Sequence, residues 1–197
     1  MTLAILAGGQ SRRMGQPKGE LRLRNQPILQ FILQSISWTG PTLLITTPGR
    51  EHPPGCEFFD GEATDAVAQG PLGGILTALQ NCSTPNLIVA TVDMPGVGMT
   101  QLQWLANRLA EKSDLLGVMC RRAIEGRMQI EPFPFACRRD AINIIAARLN
   151  DGERSVRSLM DLPEFAADTA PKEWPAQVWT NLNTPDDYEA FVAELQV

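Results

Sequence analysis

Leu6-Ala7-Gly8-Gly9-Gln10-Ser11-Arg12-Arg13-Met14-Gly15-Gln16-Pro17-Lys18 decides how the rest of the chain reads. A short apolar run, Leu3 to Leu6, stops at two adjacent glycines, and two arginines, a third glycine and a lysine follow. That order suits a buried strand running into a loop that cradles polyphosphate. Glycines let backbone N–H groups approach phosphate oxygens with no Cβ in the way. Arg and Lys then neutralise the anion.

Working outward, strand-like and helix-like segments alternate. Residues 2–6, Thr42–Thr46, Asn86–Val92, Leu115–Cys120 and Met128–Cys137 read as extended, with Asn86–Val92 the clearest buried strand. Helical spacing predicts helices over Pro27–Trp38, from Leu72 to Leu79, over Thr100–Lys112 with Thr100 as cap, over Arg139–Leu149, and over Pro185–Leu195 with Thr184 as cap. Arg121–Arg127 reads as a turn and Val178-Trp179 as a strand-like run. The alternation predicts a mostly parallel sheet between helices, with ligands held beyond the carboxyl ends of the strands. The absence of repeats or linkers leads us to expect one domain over residues 1–197.

The chain has 197 residues, 44% of them apolar and 20% charged, which is globular composition. The net charge of −5 is unevenly spread. Arg12, Arg13, Lys18, Arg22 and Arg24 fall within the first 25 residues beside a single acid, Glu20. A small basic patch on an acidic body fits one compact anion and does not fit nucleic acid. No run is long enough to span a membrane. Met1 to Leu6 lacks a basic leader and reads as the first strand, so a cytoplasmic protein is expected. The four cysteines, Cys56, Cys82, Cys120 and Cys137, form no Cys-x-x-Cys pair and read as free thiols. The lone His52 lies in a proline-rich turn, which argues against a general-base role.

Asp93 ends the Asn86–Val92 strand and is followed by Met94-Pro95-Gly96. A carboxylate there is poorly explained by packing. Mg²⁺ takes one or two carboxylates together with substrate phosphates, so Asp93 beside a loop-held triphosphate fits a magnesium ligand. Gly70-Pro71-Leu72-Gly73-Gly74 opens a helix. Its glycines permit either close contact with a ribose or base edge, or tight helix–sheet packing. Asn181 and Asn183 stand two residues apart in an extended segment and so face one side. Either can meet a phosphate or the metal, although capping alone explains Thr184. Arg154, Ser155 and Arg157 suit a second anionic substrate or plain solvent.

Leu6-Ala7-Gly8-Gly9-x-Ser11-x-Arg13-Met14-Gly15-x-x-Lys18, Gly70-Pro71-Leu72-Gly73-Gly74, Asp93-x-Pro95 and Asn181-x-Asn183-Thr184-Pro185, in that order, resemble the molybdenum cofactor guanylyltransferases. The resemblance implies a Rossmann-like three-layer α/β/α sandwich with a mostly parallel sheet. It implies transfer of GMP from GTP to the phosphate of molybdopterin, with Mg²⁺ as cofactor, and contact with proteins that deliver or accept the cofactor. By the same resemblance Leu6, Ala7, Gly8, Gly9, Lys18, Asp60, Gly74 and Asp93 hold the nucleotide, with Asp60 matching the family's loop acid better than Asp65. Arg13, Lys18 and Asp93 are then the catalytic groups and Asp93 the metal ligand, and Asn181 and Asn183 are expected to bind substrate. Pro17 stands where the family usually has Asp, and Thr46 or Thr47 where it often has Asn. The rival readings are a cytidylyltransferase or sugar-phosphate nucleotidyltransferase, a nicotinamide oxidoreductase, and a nucleotide-binding partner without turnover. The oxidoreductase lacks its Gly-x-Gly-x-x-Gly fingerprint here.

Overall fold

β1 (Thr2–Leu6) is apolar from end to end and buried at every position, as a strand covered on both faces must be. In this computed structural model, which describes residues 1–9 and 13–195, it is an interior strand, third from one edge of a seven-stranded sheet. Gln10, Ser11 and Arg12 of the opening motif lie outside the described residues.

After β1 come a small antiparallel pair, β2 (Arg22–Leu23) and β3 (Gln26–Pro27), and helix α1 (Ile28–Ile36). Pro27 precedes the first helical residue, and Ser37 closes α1 in the left-handed region with its N–H on Leu33 O. β4 (Thr42–Thr46), β5 (Gly61–Thr64), α2 (Gly70–Asn81), β6 (Asn86–Thr91) and α3 (Met99–Glu111) follow. The second half holds β7 (Gly117–Ile124), β8 (Arg127–Arg138), α4 (Ile142–Asn150), β9 (Phe165–Thr169) and α5 (Pro185–Glu194).

The strand order is β5-β4-β1-β6-β8-β7-β9. β5, β4, β1 and β6 run parallel, β8 is antiparallel to both neighbours, and β9 runs parallel to β7. With helices flanking it, this is the expected α/β arrangement built on a mostly parallel sheet. The chain travels outward from β1 to β4 and β5, then returns to the other side of β1 as β6. That reversal opens a crevice at the carboxyl ends of β1 and β6, where such sheets hold ligands.

Several local expectations change. α3 is not capped by Thr100, which lies inside the helix; the Gln101 side chain reaches back to accept the Gly98 N–H at 3.0 Å. The turn expected over Arg121–Arg127 contracts to Glu125-Gly126, both at positive φ (49° and 77°), with β7 and β8 pairing up to Ile124–Arg127. Positive φ at both central residues matches the right-handed twist of a hairpin. Val178 and Trp179 sit in a 3-10 turn, Ala176–Trp179, and not in a strand. The Arg139–Leu149 segment begins as a 3-10 turn, Arg139–Ala141, before α4. β2, β3, β5 and β9 were not expected.

All four cysteines are free, and Cys82, Cys120 and Cys137 are buried. Burial, assisted by the charges of Glu131 and Asp168, pushes the Cys120 thiol up to about 12, and burial raises Cys137 as well. Neither is a thiolate near neutrality, so neither serves as a nucleophile.

α5 begins as expected. The Thr184 hydroxyl accepts the Asp187 N–H at 3.2 Å while Asp187 Oδ2 accepts the N–H groups of Thr184 and Asn183 at 2.8 and 3.0 Å. The Thr184 hydroxyl, the two N–H groups and, least, Arg13 hold the Asp187 carboxyl below its ordinary value. A lowered folded-state pKa means the carboxylate stabilises the fold above the ordinary aspartate range and stops doing so as pH falls through the lowered value. Thr184→Ala is expected to cost about 1 kcal/mol at pH 7. In urea unfolding that deficit shrinks as acid neutralises Asp187; a deficit unchanged down to the acid limit contradicts the reciprocal cap.

Candidate active site

β1 stops at the crevice because Gly8 and Gly9 follow it, and each glycine has its own reason. A Cβ on Gly8 would stand 2.6 Å from Thr47 Cγ2 at the end of β4. Gly9 has open space around it but a φ of 138°, which L side chains avoid. The Ala7 N–H still bonds Ile45 O at 2.8 Å, so β1 stays in register until the loop departs.

The loop and the strand ends enclose a cavity of about 830 Å³. Leu6, Gly8, Gly9, Arg13 and Lys18 line one side, and Asp93, Asn181 and Asn183 another. Gly74 and Asp65 line it from α2 and the end of β5. The expected site residues therefore converge, apart from Ala7, which does not line the cavity, and Asp60.

Asp60 sits at the other end of the sheet. Its carboxylate accepts the Thr42 N–H and hydroxyl, at 2.8 and 2.9 Å, where β4 begins. Those two bonds hold its pKa below the ordinary value. Asp65 stands at the cavity instead, 5% exposed, with Oδ1 accepting the N–H groups of Val67 and Ala68 at 3.3 and 3.0 Å. A Cβ on Gly73 would come 2.9 Å from Asp65 Oδ2, and one on Gly74 would come 3.2 Å from Leu6 Cδ2. The glycines of the α2 motif thus provide close packing, and Gly70, Pro71 and Gly74 also line the cavity.

At the centre, Lys18 Nζ donates to Asp93 Oδ2 and to Asn183 Oδ1, each at 2.9 Å. The three residues come from the first loop, the end of β6 and the segment before α5. Lys18 rises from a 3-10 turn, Lys18–Glu20, entered from Pro17. Asn183 is placed by the Leu182 N–H, which bonds Asp93 O at 2.8 Å. Asn181 Nδ2 donates to Trp179 O at 3.2 Å, which fixes its amide at the cavity wall. Arg13 is exposed at the rim.

Thr46 and Thr47, which stand where the family often has Asn, line the cavity, and so do Pro48, Arg50, Thr91 and Phe133, which the sequence does not single out. The Thr91 hydroxyl is buried without a hydrogen-bond partner among the described residues. Thr47 and Arg50 follow the carboxyl end of β4, and that position was the available signal.

Glycine-supported backbone, cations and one strand-end carboxylate around a cavity of nucleotide size on an α/β sheet are the chemistry a nucleotide phosphate needs. Residues 3–169 match the family model for the MobA-like NTP transferase domain, and the chain belongs to that family of nucleotidyltransferases. It is 30% identical over 200 residues to the molybdenum cofactor guanylyltransferase of Cupriavidus metallidurans, with 98% of this chain and 95% of that one covered. A protein of Nostoc sp. described as a probable molybdenum cofactor guanylyltransferase is 28% identical over 200 residues, covering 98% and 91%. Molybdopterin-guanine dinucleotide biosynthesis protein A from Archaeoglobus fulgidus superposes with a TM-score of 0.81 at 21% identity, covering 100% of this chain and 99% of that one.

Proposed function

We propose that residues 1–197 form one nucleotidyltransferase domain that moves GMP from GTP to the phosphate of molybdopterin, releasing pyrophosphate. The carrying observation is the convergence of Asp93 Oδ2 and Asn183 Oδ1 on Lys18 Nζ beside the Gly8-Gly9 loop. In this reading the loop and α2 hold the nucleotide, with Asp65 in the part the family resemblance assigned to Asp60. Asn181 and Asn183 face the acceptor.

The residues fit a hard divalent cation. Two oxygens, one carboxylate and one amide, already converge on a single positive charge, and Mg²⁺ needs oxygen donors of that kind plus substrate phosphates. Asp93 would hold it, and when bound it would neutralise phosphate charge. The acceptor is a phosphate monoester, already anionic near neutral pH. Its oxygen forms the new bond to the α-phosphorus of GTP as the bond to pyrophosphate breaks, so no general base is required. The protein's task is to bring two anions together and hold them in line. Lys18, once its partners turn to the substrates, and Arg13 at the rim stabilise the crowded phosphates and the leaving pyrophosphate. Four free cysteines support a reducing, cytoplasmic setting. Contact with proteins that supply or receive the pterin belongs to the same reading.

Pyrophosphate release by the purified chain with molybdopterin, Mg²⁺ and each nucleotide in turn tests this. GTP is expected to support turnover, with CTP, UTP and ATP far weaker. Turnover with CTP in preference to GTP overturns the guanylyl assignment, and GTP binding without pyrophosphate release overturns the catalytic one.

A further inference from the structure

Away from the cavity, the connection between β4 and β5 folds its own cluster. A ring nitrogen of His52, Cys56 Sγ and a Glu62 carboxylate oxygen all lie within 4.8 Å of one another. His52 and Cys56 come from the connection, and Glu62 comes from β5. Four-coordinate zinc sets its N, O and S ligands about 3.3–3.6 Å apart, so small side-chain rotations close the set. We propose that His52, Cys56 and Glu62 form a binding site for a borderline transition-metal ion of the zinc class, separate from Asp93 and with solvent completing the shell.

The local structure prepares this set. Glu62 is held in place by the His52 N–H on Oε1 at 2.9 Å and by the Thr46 hydroxyl at 3.3 Å. His52 Nδ1 lies 2.9 Å from Glu62 Oε2, and its ring is 82% exposed, open to an arriving ion. Its backbone is in the left-handed region, φ 54°, which turns the ring back over β5. Cys56 begins a 3-10 turn, Cys56–Phe58, and is half-buried. Desolvation, then the charges of Glu62 and Glu57, raise its thiol. Glu57 is turned away, accepting the Gly55 N–H at 3.1 Å. Imidazole, thiolate and carboxylate together select zinc-like ions over Mg²⁺, which prefers oxygen alone.

The position gives such a site mechanical reach. Pro53, next to His52, packs on Gly19, whose Cβ would meet it at 3.3 Å, and Gly19 adjoins Lys18. The same connection begins with Thr47, Pro48 and Arg50 of the cavity wall. A metal pinning His52 and Cys56 to β5 would stiffen both.

Co²⁺ titration of the intact reduced chain, with Mg²⁺ in excess to occupy oxygen sites, is the test. We expect one Co²⁺ per chain with a thiolate-to-metal charge-transfer absorption, displaced by equimolar Zn²⁺. The Asp93 site contains no sulfur and Cys82, Cys120 and Cys137 are buried, so this band reports Cys56. Cys56→Ser is expected to abolish the band. His52→Ala, at an exposed ring that the fold does not need, is expected to weaken binding roughly tenfold or more, since even outer partners of metal ligands are worth that. Absence of the band at saturating Co²⁺, its survival in Cys56→Ser, or undiminished affinity in His52→Ala overturns the proposal.

Discussion

Asp93→Ala is expected to lower turnover by about 10²–10³-fold while leaving a folded protein. Among the described residues the side chain makes one ion pair, with Lys18, and it is about a quarter exposed, so its removal costs on the order of 1 kcal/mol. Lys18 keeps Asn183 as a partner. The structural part of the residue is its backbone, because Asp93 O accepts the Leu182 N–H whatever the side chain is. Loss of the carboxylate therefore acts on charge at the phosphates and not on the fold. Pyrophosphate release under saturating GTP, beside a thermal melt lowered by only about 2–4 °C, measures this, and Asp93→Asn should fall almost as far because it keeps the shape and drops the charge. Near-normal release in either variant would remove Asp93 from the catalytic set.

Gly96→Ala is expected to damage both stability and turnover. A Cβ there would lie 2.1 Å from Gln177 O and 2.6 Å from the Gln177 carbonyl carbon. Both are backbone atoms, so no rotamer change relieves the contact and one of two chain segments must move. Overpacking of this kind costs about 1–3 kcal/mol or more. The segment displaced is the one that carries Asn181 and Asn183 to the cavity. Gly61→Ala is the contrast, since its nearest new neighbour, Leu43 Cδ1, lies at 3.5 Å and the residue does not line the cavity. Urea midpoints and turnover should fall together in the first variant and barely change in the second. An unshifted midpoint in Gly96→Ala contradicts the tight seating of this segment.

The parts legible in the sequence were those with strong local signals. β1 and β6 are short apolar runs followed by glycines or by an aspartate; β1 has the expected bounds, and β6 ends at Thr91, one residue before the expected Val92. The missed strands lack that signal. β5, Gly-Glu-Ala-Thr, is half-buried at every position on the sheet edge, and β9, Phe-Ala-Ala-Asp-Thr, is small and mostly half-buried. Tertiary pairing with β4 and β7 makes them strands, not propensity. The misplacement of Asp60 follows directly. Without β5, nothing in the chain shows that four residues separate the two ends of a sheet, so that Asp60 faces Thr42 and Asp65 faces the cavity. The tie among Lys18, Asp93 and Asn183 spans 165 residues from first to last and has no local signature.

The fastening of Leu182 to Asp93 has a consequence for where this protein can be cut. A polypeptide ending at Thr169 keeps all nine strands, including the glycine loop and the metal-binding acid proposed above. It discards the far wall of the cavity, with both asparagines and the N–H that braces the acid's own main chain. Such a truncated product should still look like the parent by circular dichroism and still grip nucleotide, yet be unable to seat the second reactant.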